Sequence, residues 1–120
     1  RIESDFAELL AAVARKELGQ AELKLRDDAA ATVMMVSGGY PEKYEKGHAI
    51  KGLDEVAGAM VFHAGTRLSE SGEVLTNGGR VLSVTALGND FREALKKSYE
   101  NVERIHFAGS YYRKDLGFDL

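Results

Sequence analysis

The chain has 120 residues, of which 44% are hydrophobic and 29% are charged, and this composition is typical of one soluble domain with its own core. It contains no cysteine, which excludes disulfides, thiolate catalysis and cysteine-ligated metal sites. The formal net charge of −3 argues against general nucleic-acid binding. No apolar run approaches the ~20 residues of a membrane helix. We therefore expect neither a nucleic acid nor a membrane as a partner, and we expect a cytoplasmic location.

The first part of the chain has the apolar spacing of a helix from Ser4 to about Leu18. Ser4 or Asp5 can cap it, and Gly19 is a natural stop. The apolar face is formed by Phe6, Leu9, Leu10, Val13 and Leu18. Since the helical pattern follows Arg1 almost at once, we expect the chain to be a piece of a longer polypeptide.

The middle of the chain has the pattern of short strands joined by turns. Ala30–Val36 is an apolar run that predicts a buried strand, and the Gly-Gly-Tyr-Pro segment ending at Pro41 predicts a turn. Leu53–Ala57 fits one helical turn. Met60–Leu68 is a second strand region, broken near Gly65.

A hairpin is predicted next, because Glu73–Thr76 and Arg80–Leu87 flank Asn77-Gly78, a strong hairpin signal. With Met60–Leu68 these runs would form an antiparallel meander. A second helix then begins at Asn89 or Asp90. Its predicted buried stripe consists of Phe91, Ala94, Leu95, Ser98, Val102 and Ile105. The fold class is therefore mainly β with two helices (α+β), a small open barrel or sandwich carrying a helix.

The residues alone supply no nucleophile, general base or cofactor motif, so we predict no catalytic residue. The three histidines, His48, His63 and His106, are far apart in the sequence, and a metal site needs three or four converging ligands. We therefore expect no metal site in the chain and interpret His63 as a hydrogen-bonded strand residue.

Three segments could bind an anion, and each has a simpler interpretation. Ser37-Gly38-Gly39 could cradle an anion through backbone N–H groups or only form a turn. The basic pair Arg113-Lys114 suits a phosphate monoester or is a solvated tail. Two further basic residues, Arg104 and His106, lie close to it in the sequence. The helix start could bind a carboxylate or phosphate or simply be capped; its residues are Arg1, Ser4 and Asp5.

Several short motifs occur in one order along the chain and together carry a resemblance. They are Val36-Ser-Gly-Gly-Tyr-Pro41, Val61-Phe-His-Ala-Gly-Thr66, Thr76-Asn-Gly-Gly-Arg-Val-Leu82 followed by Val84-Thr-Ala-Leu-Gly88, Ile105-His-Phe107 and Arg113-Lys-Asp-Leu-Gly117. With the opening Arg1-Ile-Glu-Ser-Asp5, they closely resemble the C-terminal part of the phosphoribosylamine–glycine ligases, also called glycinamide ribonucleotide synthetases. The resemblance covers essentially the whole chain.

The resemblance implies an ATP-grasp ligase of purine biosynthesis. Such an enzyme phosphorylates glycine with ATP and Mg²⁺ or Mn²⁺, and the amine of 5-phosphoribosylamine then attacks the glycyl phosphate. It also implies a barrel-sandwich hybrid, or rudiment single-hybrid, C-domain over residues 29–120, with residues 1–28 as the end of the ATP-grasp domain and a connector helix. The partners would be the upstream ATP-grasp domains of the same chain.

The family's Arg-Phe-Gly-Asp-Pro-Glu segment, which carries magnesium ligands, would precede Arg1, so the isolated piece is expected to be inactive and to bind no cofactor. The resemblance implies that Arg113 and Lys114 bind the substrate phosphate. It implies a glycine-side role for Arg1, Ser4 and Asp5, and by analogy of fold it brings the Ser37-Gly38-Gly39 turn beside the active site.

Two hypotheses from other classes remain. A carrier module of lipoyl or biotinyl type would present a lysine at a hairpin tip, whereas the predicted tip here, Asn77-Gly78, has none. A purely structural or interaction domain would tolerate charge reversal at Arg113 and Lys114.

Overall fold

The computed structural model describes residues 1–119, and its centre is a four-stranded antiparallel sheet with a helix packed on one face. The strands are β1 (Ala29–Ser37), β2 (Ala59–His63), β3 (Thr66–Leu68), β4 (Val74–Thr76), β5 (Arg80–Gly88) and β6 (Ser110–Tyr111), and the helices are α1 (Phe6–Ala14) and α2 (Phe91–Val102). The large sheet has the order β2-β5-β1-β6, and β3 and β4 form a separate two-stranded sheet. The predicted class, mainly β with two helices, is confirmed.

The two central strands, β1 and β5, alternate between a buried and a partly exposed face, as strands of a one-sided sheet do. Val33 and Met35 are fully buried and face Val84 and Leu82 across the ladder. These four side chains belong to the main hydrophobic core. The predicted strand Ala30–Val36 is thus confirmed, with one more residue at each end.

Helix α2 covers the buried face of this sheet. The Asp90 carboxylate accepts a hydrogen bond from the Glu93 amide at 2.8 Å, so the predicted cap is confirmed. The Ser98 hydroxyl is fully buried; it accepts from the Ala86 amide at 3.0 Å and donates to the Ala31 carbonyl at 2.8 Å. One helical side chain therefore joins α2 to both central strands.

The predicted meander is wrong at its second turn. Strand β4 pairs with β3, whereas β5 pairs with β2 and β1. The tight turn lies at residues 69–72, where the Ser69 amide donates to the Glu73 carbonyl at 2.8 Å. Asn77-Gly78 is a bend between the two sheets, because the Asn77 amide donates to the Gly65 carbonyl at 2.7 Å. The chain forms one long hairpin, bent at its middle, rather than two successive hairpins.

Helix α1 is shorter than the predicted Ser4–Leu18. It ends at Ala14 because Lys16 adopts a left-handed conformation with φ of 62°. The Glu17 amide then donates to the Ala12 carbonyl at 2.8 Å, and the Lys16 amide donates to the Val13 carbonyl at 3.0 Å. This is the hydrogen-bond pattern of a Schellman C-cap, and it stops the helix before Gly19. The predicted single helical turn after Gly52 is present as a 3-10 turn, Leu53–Glu55.

Candidate functional site

The cationic pair, Arg113 and Lys114, lies in an exposed segment that follows β6. The Arg113 guanidinium donates through Nε and Nη2 to the two carboxylate oxygens of Asp115 at 2.9 and 2.8 Å. Lys114 Nζ lies 6.0 Å from the centre of the Tyr112 ring. Both cations border an open hollow lined by residues 110–115, so they are accessible to a solvent-borne anion.

The electrostatics of this segment are set by the Arg113–Asp115 pair. Hydrogen bonding from Arg113 lowers the pKa of the Asp115 carboxyl below its ordinary value. Hydrogen bonding to Asp115 raises the pKa of the Arg113 guanidinium, which stays fully charged. A bidentate arginine–carboxylate contact has the geometry with which a guanidinium also binds two phosphate oxygens.

Arg104 and His106, the further basic residues expected near this pair, are held in other parts of the fold. Arg104 Nη1 donates to the Glu55 carbonyl at 2.7 Å. The backbone of His106 exchanges two hydrogen bonds with Lys51, at 2.9 and 3.0 Å. Neither residue lines the hollow beside Arg113 and Lys114.

The glycine-pair turn, Ser37-Gly38-Gly39, begins with the last residue of β1 and closes against residue 109. The buried Ser37 hydroxyl donates to the Gly78 carbonyl at 2.9 Å, so this side chain has a structural role. A Cβ added at Gly38 would lie 2.7 Å from the Gly109 carbonyl oxygen, which requires glycine here. Ser37 and Gly38 border a small hollow of about 170 Å³ that they share with Glu45, His48, Ala108 and Gly109.

The first segment is held by hydrogen bonds between its own two ends. The Arg1 guanidinium donates to the Arg26 carbonyl at 3.2 and 2.8 Å. The Ser4 hydroxyl donates to the Glu22 carbonyl at 2.8 Å and accepts from the Lys24 amide at 2.7 Å. Asp5 caps α1 by accepting from the Glu8 amide at 3.1 Å, so the capping interpretation of Asp5 is confirmed.

The structure brings two of these segments to neighbouring positions on opposite faces of β1. Ser37 pairs with Ser110, and Val36 pairs with Tyr111, but successive strand residues face opposite sides. Arg113 lines a hollow of about 250 Å³ on the Val36 side, together with Thr32, Met34, Tyr111, Tyr112 and Leu116. The two hollows have no lining residue in common.

Three features near these segments were missed by sequence reasoning. Asp115 forms an ion pair with Arg113. Its position two residues after Arg113 in the sequence could have indicated this pair. His48 Nε2 lies 3.3 Å from Glu45 Oε2, beside the glycine-pair turn. Tyr99 on α2 bonds to the backbone of the 113–116 segment, and its place four residues after Leu95 on the predicted stripe could have indicated it.

The other predicted candidates have ordinary surroundings. The His63 ring nitrogen Nδ1 lies 3.0 Å from the Thr66 hydroxyl, as expected for a hydrogen-bonded histidine. Within residues 1–119, no group of three or more histidine, aspartate or glutamate side chains could hold a metal ion. The hairpin tip at residues 69–72 contains no lysine, which removes the attachment residue that a carrier module would need. No helix among the described residues is long and apolar enough to cross a membrane.

Comparison with known proteins gives one consistent result. The family model described as phosphoribosylglycinamide synthetase, C domain, matches residues 30–119. The chain is 45% identical over 122 residues to phosphoribosylamine–glycine ligase, chloroplastic, of Arabidopsis thaliana, covering 98% of this chain and 23% of that protein. It is 44% identical over 120 residues to the Escherichia coli K12 phosphoribosylamine–glycine ligase, covering 98% of this chain and 28% of the relative.

Among solved structures, the crystal structure of phosphoribosylamine–glycine ligase from Thermotoga maritima is similar, with a TM-score of 0.73 and 31% sequence identity. The match covers 92% of this chain and 28% of that one. The chain thus spans about a quarter of the length of the relatives it matches.

Proposed function

Since this chain belongs to the phosphoribosylglycinamide synthetase C-domain family, we propose that it acts as the C-terminal part of an ATP-dependent ligase that joins glycine to 5-phosphoribosylamine in purine biosynthesis. The observation that carries the proposal is the 45% identity across 98% of the chain to a protein of that name. Because the chain corresponds to only 23% of that relative, the activity is assigned to the parent protein.

In the proposed reaction, a carboxylate oxygen of glycine accepts the terminal phosphoryl group of ATP, and ADP leaves. The amine nitrogen of phosphoribosylamine then bonds to the acyl carbon, inorganic phosphate leaves, and the nitrogen loses a proton. ATP and its Mg²⁺ or Mn²⁺ are assigned to the upstream domains, as the family resemblance implies. This chain is assigned a share of substrate binding.

We assign the phosphate of phosphoribosylamine to Arg113 and Lys114. Support comes from their exposure, their common hollow, and the bidentate geometry that Arg113 already forms with Asp115. A phosphate monoester is recognised by such a pair, the guanidinium binding two oxygens and the ammonium supplying a second charge. The phosphate would take the place of the Asp115 carboxylate on the guanidinium.

The test is Arg113→Ala in the full-length parent enzyme. Losing a charged hydrogen bond costs about 1.5–3 kcal/mol, so the KM for phosphoribosylamine should rise about ten- to hundredfold, with the KM values for ATP and glycine nearly unchanged. Arg67→Ala, an exposed arginine on β3, is the matched control. An unchanged KM for phosphoribosylamine would remove the phosphate assignment.

We also propose a glycine-side role for Arg1, Ser4 and Asp5. All three residues also have a structural role, because they hold residues 1–28 together or cap α1. Contact with the glycine substrate would be a second role of the same side chains. In the parent enzyme, Arg1→Ala should raise the KM for glycine more than that for phosphoribosylamine. We also propose that the glycine-pair turn, Ser37-Gly38-Gly39, borders the active site of the parent enzyme.

The proposed partner is the upstream part of the same polypeptide. Exposed apolar side chains support this assignment, and they lie on α1 and on the outer face of the sheet; examples are Phe6, Leu10, Val13, Met60 and Phe62. A surface of this kind marks a packing interface. We also propose the boundary between residues 1–28 and 29–120, which is supported by the start of the family match at residue 30. A cytoplasmic location stays a prediction, because one relative is named as chloroplastic.

A further inference from the structure

One face of α2 supports the segment that carries the cationic pair. Phe91, Leu95 and Tyr99 are spaced four residues apart and therefore lie in one row along the helix. Gly117, with φ of +73°, lies so close to this row that an added Cβ would be 3.3 Å from Leu95 and 3.6 Å from Phe91. Leu116 packs against the main core, so the segment is docked at its far end.

The near end is held by Tyr99. Its hydroxyl donates to the Arg113 carbonyl oxygen at 2.7 Å and accepts from the Leu116 amide at 3.3 Å. Its ring contacts that of Tyr112, with centres 6.1 Å apart. One phenol group therefore bridges the two ends of the short segment 113–116, using both its donor and its acceptor capacity.

We infer that Tyr99 is a positioning residue for binding of a phosphate monoester by Arg113 and Lys114. The inference rests on the proposed phosphate role of that pair. The Arg113 side chain starts from the backbone unit whose carbonyl Tyr99 holds, so the hydroxyl restricts where the guanidinium can reach. A segment ordered before binding loses less conformational freedom when the anion arrives, and affinity rises accordingly.

The test uses Tyr99→Phe in the full-length parent enzyme, since phenylalanine keeps the ring packing and removes only the hydroxyl. The KM for phosphoribosylamine should rise about three- to tenfold, the range for loss of one hydrogen bond. The kcat and the KM values for ATP and glycine should stay within about twofold. Hydrogen exchange of the peptide spanning 113–117 should quicken relative to peptides of β1 and β5. Tyr44→Phe, which also keeps a ring contact to a neighbouring tyrosine, is the matched control.

The outcomes separate the two proposals. If Arg113→Ala has no effect on the KM for phosphoribosylamine, the phosphate role itself fails. If Arg113→Ala has its effect and Tyr99→Phe has none, the positioning role alone is overturned. A fall in kcat with a rise in all three KM values, or a failure to fold, would show a general structural role and would also overturn it. In the Arg113→Ala background, Tyr99→Phe should add little, because both changes act on one contact.

Discussion

Asn101 and Ala57 form a reciprocal pair of hydrogen bonds between α2 and the connection that precedes β2. Asn101 Oδ1 accepts from the Ala57 amide at 2.9 Å, and Asn101 Nδ2 donates to the Ala57 carbonyl at 3.0 Å. The amide side chain is buried, with 3% exposure. It replaces a backbone partner that the irregular connection lacks, and so it attaches this connection to the helix.

Replacing Asn101 with alanine should therefore lower the free energy of unfolding by about 1–3 kcal/mol, because two hydrogen bonds to the Ala57 backbone are lost. Urea unfolding of the two proteins measures the difference. Asn77→Ala is the control, since Asn77 is exposed and bonds to Gly65 through its backbone amide; its effect should stay below about 0.5 kcal/mol. Equal effects of the two substitutions would contradict the role given to Asn101.

At Gly38, the glycine-pair turn leaves no room for a side chain. The neighbouring Gly109 carbonyl oxygen, 2.7 Å from the added Cβ, belongs to the backbone that leads into β6 and cannot rotate away. Gly38→Ala should lower the free energy of unfolding by about 1–3 kcal/mol, the usual cost of overpacking. Gly19→Ala is the control, because an added Cβ there meets no atom within 4 Å. A Gly38→Ala protein as stable as the control would show that the turn can relax.

Sequence reasoning succeeded where structure is determined locally and failed where it depends on pairing. β1 and the Asp90 cap were predictable because apolar alternation and capping are properties of neighbouring residues. The prediction of a hairpin at Asn77-Gly78 was wrong because the Asn77 amide bonds to the carbonyl of the distant Gly65, and this pairing outweighs the local turn preference. The end of α1 was misplaced because a lysine, Lys16, takes the left-handed cap position usually filled by glycine.

The candidate site follows the same division. The basic pair, Arg113 and Lys114, was visible as a local cluster of charge in an acidic chain. Helical spacing after Leu95 places Tyr99 on the predicted stripe, but its hydrogen-bond partners depend on how the last segment lies on α2, and no pattern within either segment encodes those partners. The separation of the Ser37 and Arg113 hollows likewise follows from strand alternation at the β1–β6 ladder, which required β6 to be located first.

Glu93 should make the stability of α2 depend on pH. Its carboxylate lies 2.7 Å from Lys97 Nζ and accepts from the Asn89 amide at 2.7 Å. The hydrogen bond from Lys97, followed by that from Asn89, lowers the pKa of Glu93 in the folded chain. The unfolded chain therefore binds the proton more readily, so the stabilisation is present above the ordinary carboxyl pKa and is lost as the pH falls through the lowered one.

Glu93→Gln should accordingly reduce stability at neutral pH and flatten the acid limb of a plot of unfolding free energy against pH. Urea midpoints measured from neutral pH down to the acid range would show this. Glu100→Gln is the control, because its carboxylate lies 3.8 Å from Lys96 and caps no helix. Parallel acid limbs for the native protein and the Glu93→Gln variant would contradict the assignment.

The Asp115 carboxyl should report on the state of Arg113. Because the hydrogen bond from Arg113 is the main cause of its lowered pKa, Arg113→Ala should move that pKa up toward the ordinary carboxyl range. A phosphate monoester that takes over the guanidinium should do the same in the native sequence, since the carboxylate then loses its donors and gains an anionic neighbour. A pH titration of the Asp115 carboxyl carbon by NMR, with and without inorganic phosphate, measures both shifts. Lys114→Ala, which leaves the Arg113–Asp115 pair in place, is the control, and a pKa of Asp115 that stays low after removal of Arg113 would show that another group stabilises its charge.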